Sequence, residues 1–292
     1  MIDFRHETFL ALCEIKSYTK TAEYLHITQP AVSQHIKYLE NLYNGKLFTY
    51  TGKELSLTDR GRKLYDYTKR IAVDFKKIKD DLTDYKNTVI SFGATLTIGE
   101  YIMPDIISHI MKIRPDIHFN MYVENTSILL KKLENGDISF AVIEGFFDKS
   151  RYDYSLFRNE PFIGICAPDC IHAKESCSVE NLLDNRLILR EKGSGTRAIF
   201  ENVLFEKNLS PESFNGTLEI GSLNAIKKLV SRNSGISFMY YAAAGEEISR
   251  GNLSQMKLSN WNVAHEFNFV YTKDSIHRDE IQHIIELFKE NN

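Results

Sequence analysis

The chain of 292 residues carries 36 Lys and Arg against 39 Asp and Glu, a net charge of −3, with 43% hydrophobic and 26% charged residues. That balance suits a globular protein of about two domains and excludes a generally basic nucleic-acid binder. No run of ~18 consecutive apolar residues is available to cross a membrane. The opening MIDFRHETFL holds Asp3 and Glu7 and lacks the basic-then-apolar order of a secretion signal, so a cytoplasmic protein with no membrane partner is expected.

Charge is unevenly placed. Residues 1–90 hold 15 basic and 12 acidic side chains, and the stretch 16–63 holds 8 against 4, so a modest basic excess is local to the N-terminal part. The four cysteines are Cys13 and a group, Cys166, Cys170 and Cys177, near His172. Their spacing fits no zinc pattern, so free thiols with no metal and no cofactor are expected.

In chain order, a first helix is expected over 4–15 with Phe4, Phe9, Leu12 and Cys13 inward. Ser17 and Thr19 are cap residues for a short second helix ending near Leu25. Thr28 caps a third, with Pro30 in its first turn where a missing N–H is harmless. Ala31, Val32, Ile36 and Leu39 form its buried stripe, and Asn44-Gly45 stops it. Two short helices across a three-residue turn make a helix-turn-helix. The outward face of the second carries Gln29, Ser33, Gln34 and Lys37, rich in hydrogen-bonding groups and poor in net charge. LFTYTGKELSLT, 47–58, then reads as two short strands about Thr51-Gly52-Lys53, a wing.

A long helix follows over 59–87, with Leu64, Thr68, Ile71, Phe75, Ile78, Leu82 and Tyr85 in heptad spacing. Charged residues occupy its other faces, so its seam is expected to pair with a second copy, the alternative being packing on its own domain. Beyond it, strand runs such as VISFGAT and ISFAVIE alternate with helical stretches to the final RDEIQHIIELFKE. Alternation of this kind implies a mostly parallel sheet with helices on both faces, in one domain or two lobes.

The combination of SYTKTAEYLHITQPAVSQHIKYLE, GKLF and LSLTDRG at this spacing resembles the LysR-type transcriptional regulators, and the likeness runs along the whole chain. The resemblance implies an α/β protein with an N-terminal all-α winged helix-turn-helix (1–58), a dimerising linker helix (59–87) and a two-lobed effector-binding domain like periplasmic binding proteins (88–292). One lobe would combine 88–160 with 270–292 and the other span 161–269, crossed at EPFIGICAP and EFNFVYT. The implied partners are double-stranded operator DNA, a small-molecule effector, a second copy or a tetramer, and RNA polymerase.

Carried over by residue, the recognition helix is 28–40, with Thr28, Gln29, Pro30, Ser33, Gln34 and Lys37 at the operator. Gln pairs with adenine, and Lys or Ser reaches base edges or phosphates. Thr19 and the wing residue Lys53 would meet phosphates. Tyr50 stands where the family has Arg, Asn44 where Gly is usual, and His35 where Arg or Lys is commoner.

In such a domain the ligand lies between lobes near helix N-termini. The hydroxyl-rich candidates are Thr95 and Thr97; Asn125, Thr126 and Ser127; Ser194, Gly195 and Thr196 beside Arg197; and Ser222. Capping explains any one of them, and convergence of all is what the fold implies. GSGTR resembles effector domains of members governing sulfur or carbon assimilation, which points to a small anion or organic acid. Two other function classes compete. An anion-binding enzyme lacks a catalytic constellation, since G-x-S-x-G, GxGxxG and HExxH are absent and GSGTR lacks the P-loop lysine. A solute-binding protein without a DNA role leaves the first 90 residues unexplained.

Overall fold

The protein is described by a computed structural model covering residues 3–52, 54–83, 88–273 and 278–291. It divides into two compact units, Met1–Lys86 with Glu134–Gly136, and Asn87–Leu133 with Asp137–Asn292.

The first unit begins with α1 (Phe4–Ile15), α2 (Tyr18–Tyr24) and α3 (Gln29–Leu42). Each start has a side chain accepting from an otherwise orphaned backbone N–H: Asp3 from Arg5, Ser17 from Lys20 and Thr28 from Ala31. Thr19 lies inside α2, so Ser17 alone is the cap. The turn between α2 and α3 closes through Ile27 N–H donating to Ala22 O at 3.0 Å, with His26 at φ 54°. Asn44, at φ 52°, ends the α3 region in the left-handed conformation that Asn tolerates. Phe9, Leu12, Val32, Ile36, Leu39 and Leu47 are buried together. Phe4, expected inward, is 53% exposed. It occupies the first position of α1, beyond the reach of the core, and its ring meets His35 edge-on at 4.9 Å. Ala31 is only half-buried.

The wing is an antiparallel pair, β1 (Phe48–Thr51) and β2 (Glu54–Leu57). Gly52 turns it at φ 67°, a conformation costly for any side chain with a Cβ. Thr58 then fastens the start of α4 (Asp59–Thr83), donating to Lys46 O at 2.7 Å and accepting from Gly61 N at 3.0 Å. Along α4, Leu64 packs on the core and Thr68 is buried, whereas Ile71, Phe75 and Ile78 are 57%, 46% and 42% exposed. Three apolar side chains in heptad register thus face solvent in the single chain. Tyr85 and Lys53, and the side chain of Leu82, lie outside the described residues.

The second unit runs β3 (Thr88–Ala94), α5 (Leu96–Tyr101), α6 (Met103–Ile113), β4 (Ile117–Val123), α7 (Thr126–Glu134), β5 (Phe140–Ile143), β6 (Tyr152–Cys166), α8 (Ile171–Lys174), β7 (Leu187–Leu189) and α9 (Gly195–Glu206). It continues through β8 (Thr217–Glu219), α10 (Leu223–Ser231), β9 (Ser237–Tyr240), α11 (Tyr241–Ser249), β10 (Ser254–Gln255), β11 (Ala264–Thr272) and α12 (Arg278–Glu290).

The sheet is mixed, not mostly parallel as expected. β3 is parallel to β4 and β5, and β7 to β8. The long β6 and β11 run antiparallel to each other, and β11 is antiparallel to β5. β6 changes partners midway: Tyr152 to Pro161 pair with β11, and Phe162 to Cys166 with β9 and β10. Three of the strand pairs are βα units, but β6 and β11 join the sheet from the opposite direction, which is why the βα alternation did not yield a parallel sheet. The same pairing sets His265 to Phe269 beside Ser155 to Glu160. Phe92, Phe140 and Phe269 on the strands pack ring against ring with one another and with Phe288 of α12. No helix among the described residues is long and apolar enough to cross a membrane.

Candidate functional site

Two sites emerge, one in each unit. In the first, α3 buries Val32, Ile36 and Leu39, and the 3.6-residue period leaves Gln29, Pro30, Gln34 and Lys37 exposed and Ser33 half-buried. Gln29 Nε2 donates to Ser33 Oγ at 3.0 Å, one turn along. Thr28 carries the cap bond and Thr19 is exposed near the start of α2. His35 does not share the outward face: its Nδ1 pairs with Thr8 Oγ1 at 2.9 Å and its ring packs on Phe4. These contacts tie α3 to α1, and burial with the nearby Arg5 charge lowers the pKa of the imidazole. Tyr50 is exposed on the wing.

In the second unit, three helix starts meet the end of β5. Thr95 and Thr97 at α5, Thr126 at α7, and Ser194 and Thr196 at α9 are all buried. Thr95 and Ser194 stand at cap positions yet make no capping bond. The hydroxyls of Thr95, Thr126 and Ser194 have no hydrogen bond among the described residues, and that of Thr97 has only the Glu144 carboxyl beside it. Capping does explain Ser222, whose Oγ accepts from Ala225 N; it is exposed, as is Ser127, and neither joins the cluster. Asn125 Nδ2 reaches Glu191 Oε1 at 3.5 Å. Gly195 permits the close approach of α9: a Cβ there would sit 3.1 Å from Gly145 Cα and 3.2 Å from Glu144 Cγ. Arg197 turns away, donating to Arg190 O at 3.0 Å and pairing with Glu201 and Glu219.

Glu144, Arg190 and Tyr240 were not expected here. Glu144 is 2% exposed, and its Oε1 accepts from Thr196 Oγ1 at 2.9 Å. Burial pushes its carboxyl up, opposed by the Thr97 and Thr196 hydroxyls and the Arg190 charge. Arg190, 3% exposed, spends Nε and Nη2 on Glu191, at 2.8 and 2.9 Å, while its buried Nη1 has no partner among the described residues. Glu191 is held below the usual carboxylate range: burial raises it, and Arg190 outweighs that. Tyr240 OH donates to Glu144 O at 3.4 Å. A lone Glu at the end of the strand run ISFAVIE reads as a loop acid, so only its burial distinguishes it.

Burial pushes the Cys166 thiol up to about 12, reinforced by Cys170, and raises Cys177, the reverse of an activated thiolate. Among the described residues no group of His, Cys, Asp and Glu is arranged to hold a metal ion.

Two family descriptions match the chain: "LysR substrate binding domain" over residues 84–292 and "Bacterial regulatory helix-turn-helix protein, lysR family" over residues 5–62. Among curated relatives, the HTH-type transcriptional regulator CysL of Bacillus subtilis is 26% identical, covering 91% of this chain and 89% of its own. The HTH-type transcriptional activator CmpR of Synechocystis is 29% identical, covering 91% and 88%. Among solved structures, an OxyR variant of Corynebacterium glutamicum superposes with a TM-score of 0.64 at 21% identity, covering 99% and 90%. The Synechocystis CcmR regulatory domain in complex with 2-PG gives 0.62 at 20%, covering 70% of this chain and 99% of that one.

Proposed function

Because the chain belongs to the LysR family of bacterial transcriptional regulators, we propose that it reads its operator with the exposed face of α3 and its effector with the buried hydroxyl cluster at α5, α7 and α9. It is a DNA-binding regulator with an effector-binding domain; the matched relatives are named as regulators, not enzymes. The alternative, a solute- or anion-binding domain without a DNA role, does not account for the helix-turn-helix match over residues 5–62.

Gln29, Ser33, Gln34 and Lys37 reach base edges from α3, and Thr19, Thr28, Pro30 and Lys53 line the approach to the phosphate backbone. Two copies pair through the α4 seam and present two such faces. The protein works in the cytoplasm, and bound beside a promoter it contacts RNA polymerase. Gln34→Ala is expected to weaken operator binding by about 1–3 kcal/mol and relax sequence preference at the base it reads. Fluorescence anisotropy against the operator and single-base variants checks this; unchanged affinity and selectivity would remove Gln34 from the interface.

The effector is a small anion or organic acid held by Thr95, Thr97, Asn125, Thr126, Ser194, Gly195 and Thr196. One observation carries this reading: the hydroxyls of Thr95, Thr126 and Ser194 are buried with no hydrogen bond among the described residues, and that of Thr97 has only the Glu144 carboxyl beside it. Each buried unsatisfied hydroxyl costs about 1–3 kcal/mol, a penalty that a bound acceptor relieves. Thr97→Val removes one donor to a charged group, worth roughly 1.5–3 kcal/mol, and is expected to weaken effector binding about tenfold or more while sparing effector-free DNA binding. A thermal-shift screen of anions supplies the probe, and calorimetric titration compares the variants. Equal dissociation constants for wild type, Thr97→Val, Thr126→Val and Thr196→Val would refute the site.

A further inference from the structure

The hydroxyl cluster already contains an acid where the effector would bring its own negative charge. Glu144, at the end of β5, is 2% exposed; Thr196 satisfies its Oε1, the Thr97 hydroxyl lies beside the carboxyl, and the buried Oε2 has no well-formed hydrogen bond among the described residues. The charged groups around it are few. Arg190 and Glu191 face it from the segment between β7 and α9, and Glu191 takes Nε and Nη2 of that guanidinium at 2.8 and 2.9 Å. From the end of β9, the Tyr240 hydroxyl bonds to the Glu144 backbone oxygen. Glu160 on β6, beyond Tyr240, is occupied by Ala242 N at 2.7 Å and by Arg158.

Two carboxylates and one guanidinium leave the ligand-free cluster with a net negative charge when all are ionised. An effector anion would add another like charge in a desolvated space, where repulsion is strong. A proton on Glu144 Oε2 removes the conflict. It converts the repelling oxygen into a donor, as the other orphaned groups facing the site, the threonine and serine hydroxyls and Arg190 Nη1, already can be.

We propose that Glu144 binds the effector as a neutral carboxylic acid, donating from Oε2–H to an anionic oxygen, so that one proton is taken up from solvent with each anion bound. The inference rests on the hydroxyl cluster being the effector site. No covalent bond other than this O–H forms or breaks. Burial raises the carboxyl above its ordinary value, the direction that favours the proton-bearing form. The sign follows: anion affinity is full below the Glu144 pKa of the free protein and falls as pH rises above it. The ligand class narrows to small oxoanions with a bare oxygen acceptor, and effector sensing becomes tied to acidity.

Sulfate and oxalate carry no titrating proton near neutral pH, so any proton taken up belongs to the protein. The test is calorimetric titration of the full-length protein with each, from about pH 6 to about pH 8, in two buffers of different ionisation heat. Expected are close to one proton taken up per anion, and affinity falling about tenfold for each pH unit above the Glu144 pKa. Glu144→Gln, whose amide still donates, is expected to bind with no proton uptake and a flat pH profile. Binding without proton uptake in wild type, or uptake that persists in Glu144→Gln, overturns the Glu144 assignment and leaves the effector site standing. Binding that Thr97→Val and Thr196→Val leave unchanged overturns the effector-site reading, and this inference with it. If neither anion binds wild type at any pH, the cluster is no oxoanion site and the inference falls.

Discussion

Ile71→Asp combined with Ile78→Asp is expected to give a monomer that has lost most of its operator affinity. Ile71, Phe75 and Ile78 keep 57%, 46% and 42% of their surface exposed on α4, in the register that two helices bury against each other. A carboxylate placed in such a seam is stripped of water, at an effective penalty of several kcal/mol per ion. Two per chain, four per dimer, exceed what the burial of three apolar side chains per helix contributes. Loss of pairing separates the two recognition helices, and linked binding of this kind strengthens association by roughly 10²–10⁴-fold. Light scattering gives the mass and anisotropy the affinity. The variant changes only exposed positions of the single chain, so α1 to α3 remain folded and helical by circular dichroism. A double variant of unchanged mass would mean that α4 does not carry the assembly.

Glu144→Gln is expected to stabilise the effector-free protein at pH 8 by roughly 1–3 kcal/mol, the cost of leaving a buried acceptor without a partner. The cause is the buried, half-satisfied carboxylate. Because the folded protein raises this carboxyl above its ordinary 4.5, the acid form is the one that favours folding. That contribution is fully present below about pH 4.5 and is lost as pH rises through the raised value. Wild type and Glu144→Gln therefore melt alike at low pH and diverge as pH rises, by about 2–4 °C per kcal/mol for a domain of this size. Thermal scans across pH read the difference. A constant gap, or a wild type more stable than Glu144→Gln at pH 8, would mean that Glu144 is ionised and satisfied in the free protein.

The N-terminal unit was legible because its signals act within one turn of chain. Ser17 and Thr28 each accept a backbone N–H three residues ahead, Pro30 sits where no N–H is needed, and Asn44 takes the left-handed conformation its side chain tolerates. The period of Val32, Ile36 and Leu39 then fixes which face of α3 is left for a partner. Phe4 was misread because helical period says which side of a helix it lies on and not how far the core extends. The contact made by His35 left no trace in the sequence for a related reason: its partners Thr8 and Phe4 lie on another helix.

Sequence alone determined the helix-turn-helix, the wing, the long helix after it and the set of hydroxyl-bearing helix starts, since caps, turns and apolar periods are local. Tertiary structure alone decided the mixed sheet, because β6 meets β11 across some hundred residues and the direction of a pairing leaves no local trace. It also decided which hydroxyls matter. Ser222 caps its own helix in the open, while Thr97, Thr126 and Ser194 are buried around Glu144, whose hydroxyl partner Thr196 lies 52 residues along the chain. Burial turns an ordinary strand-end glutamate into a titrating group, and burial is a property of the neighbours that long-range packing brings to it.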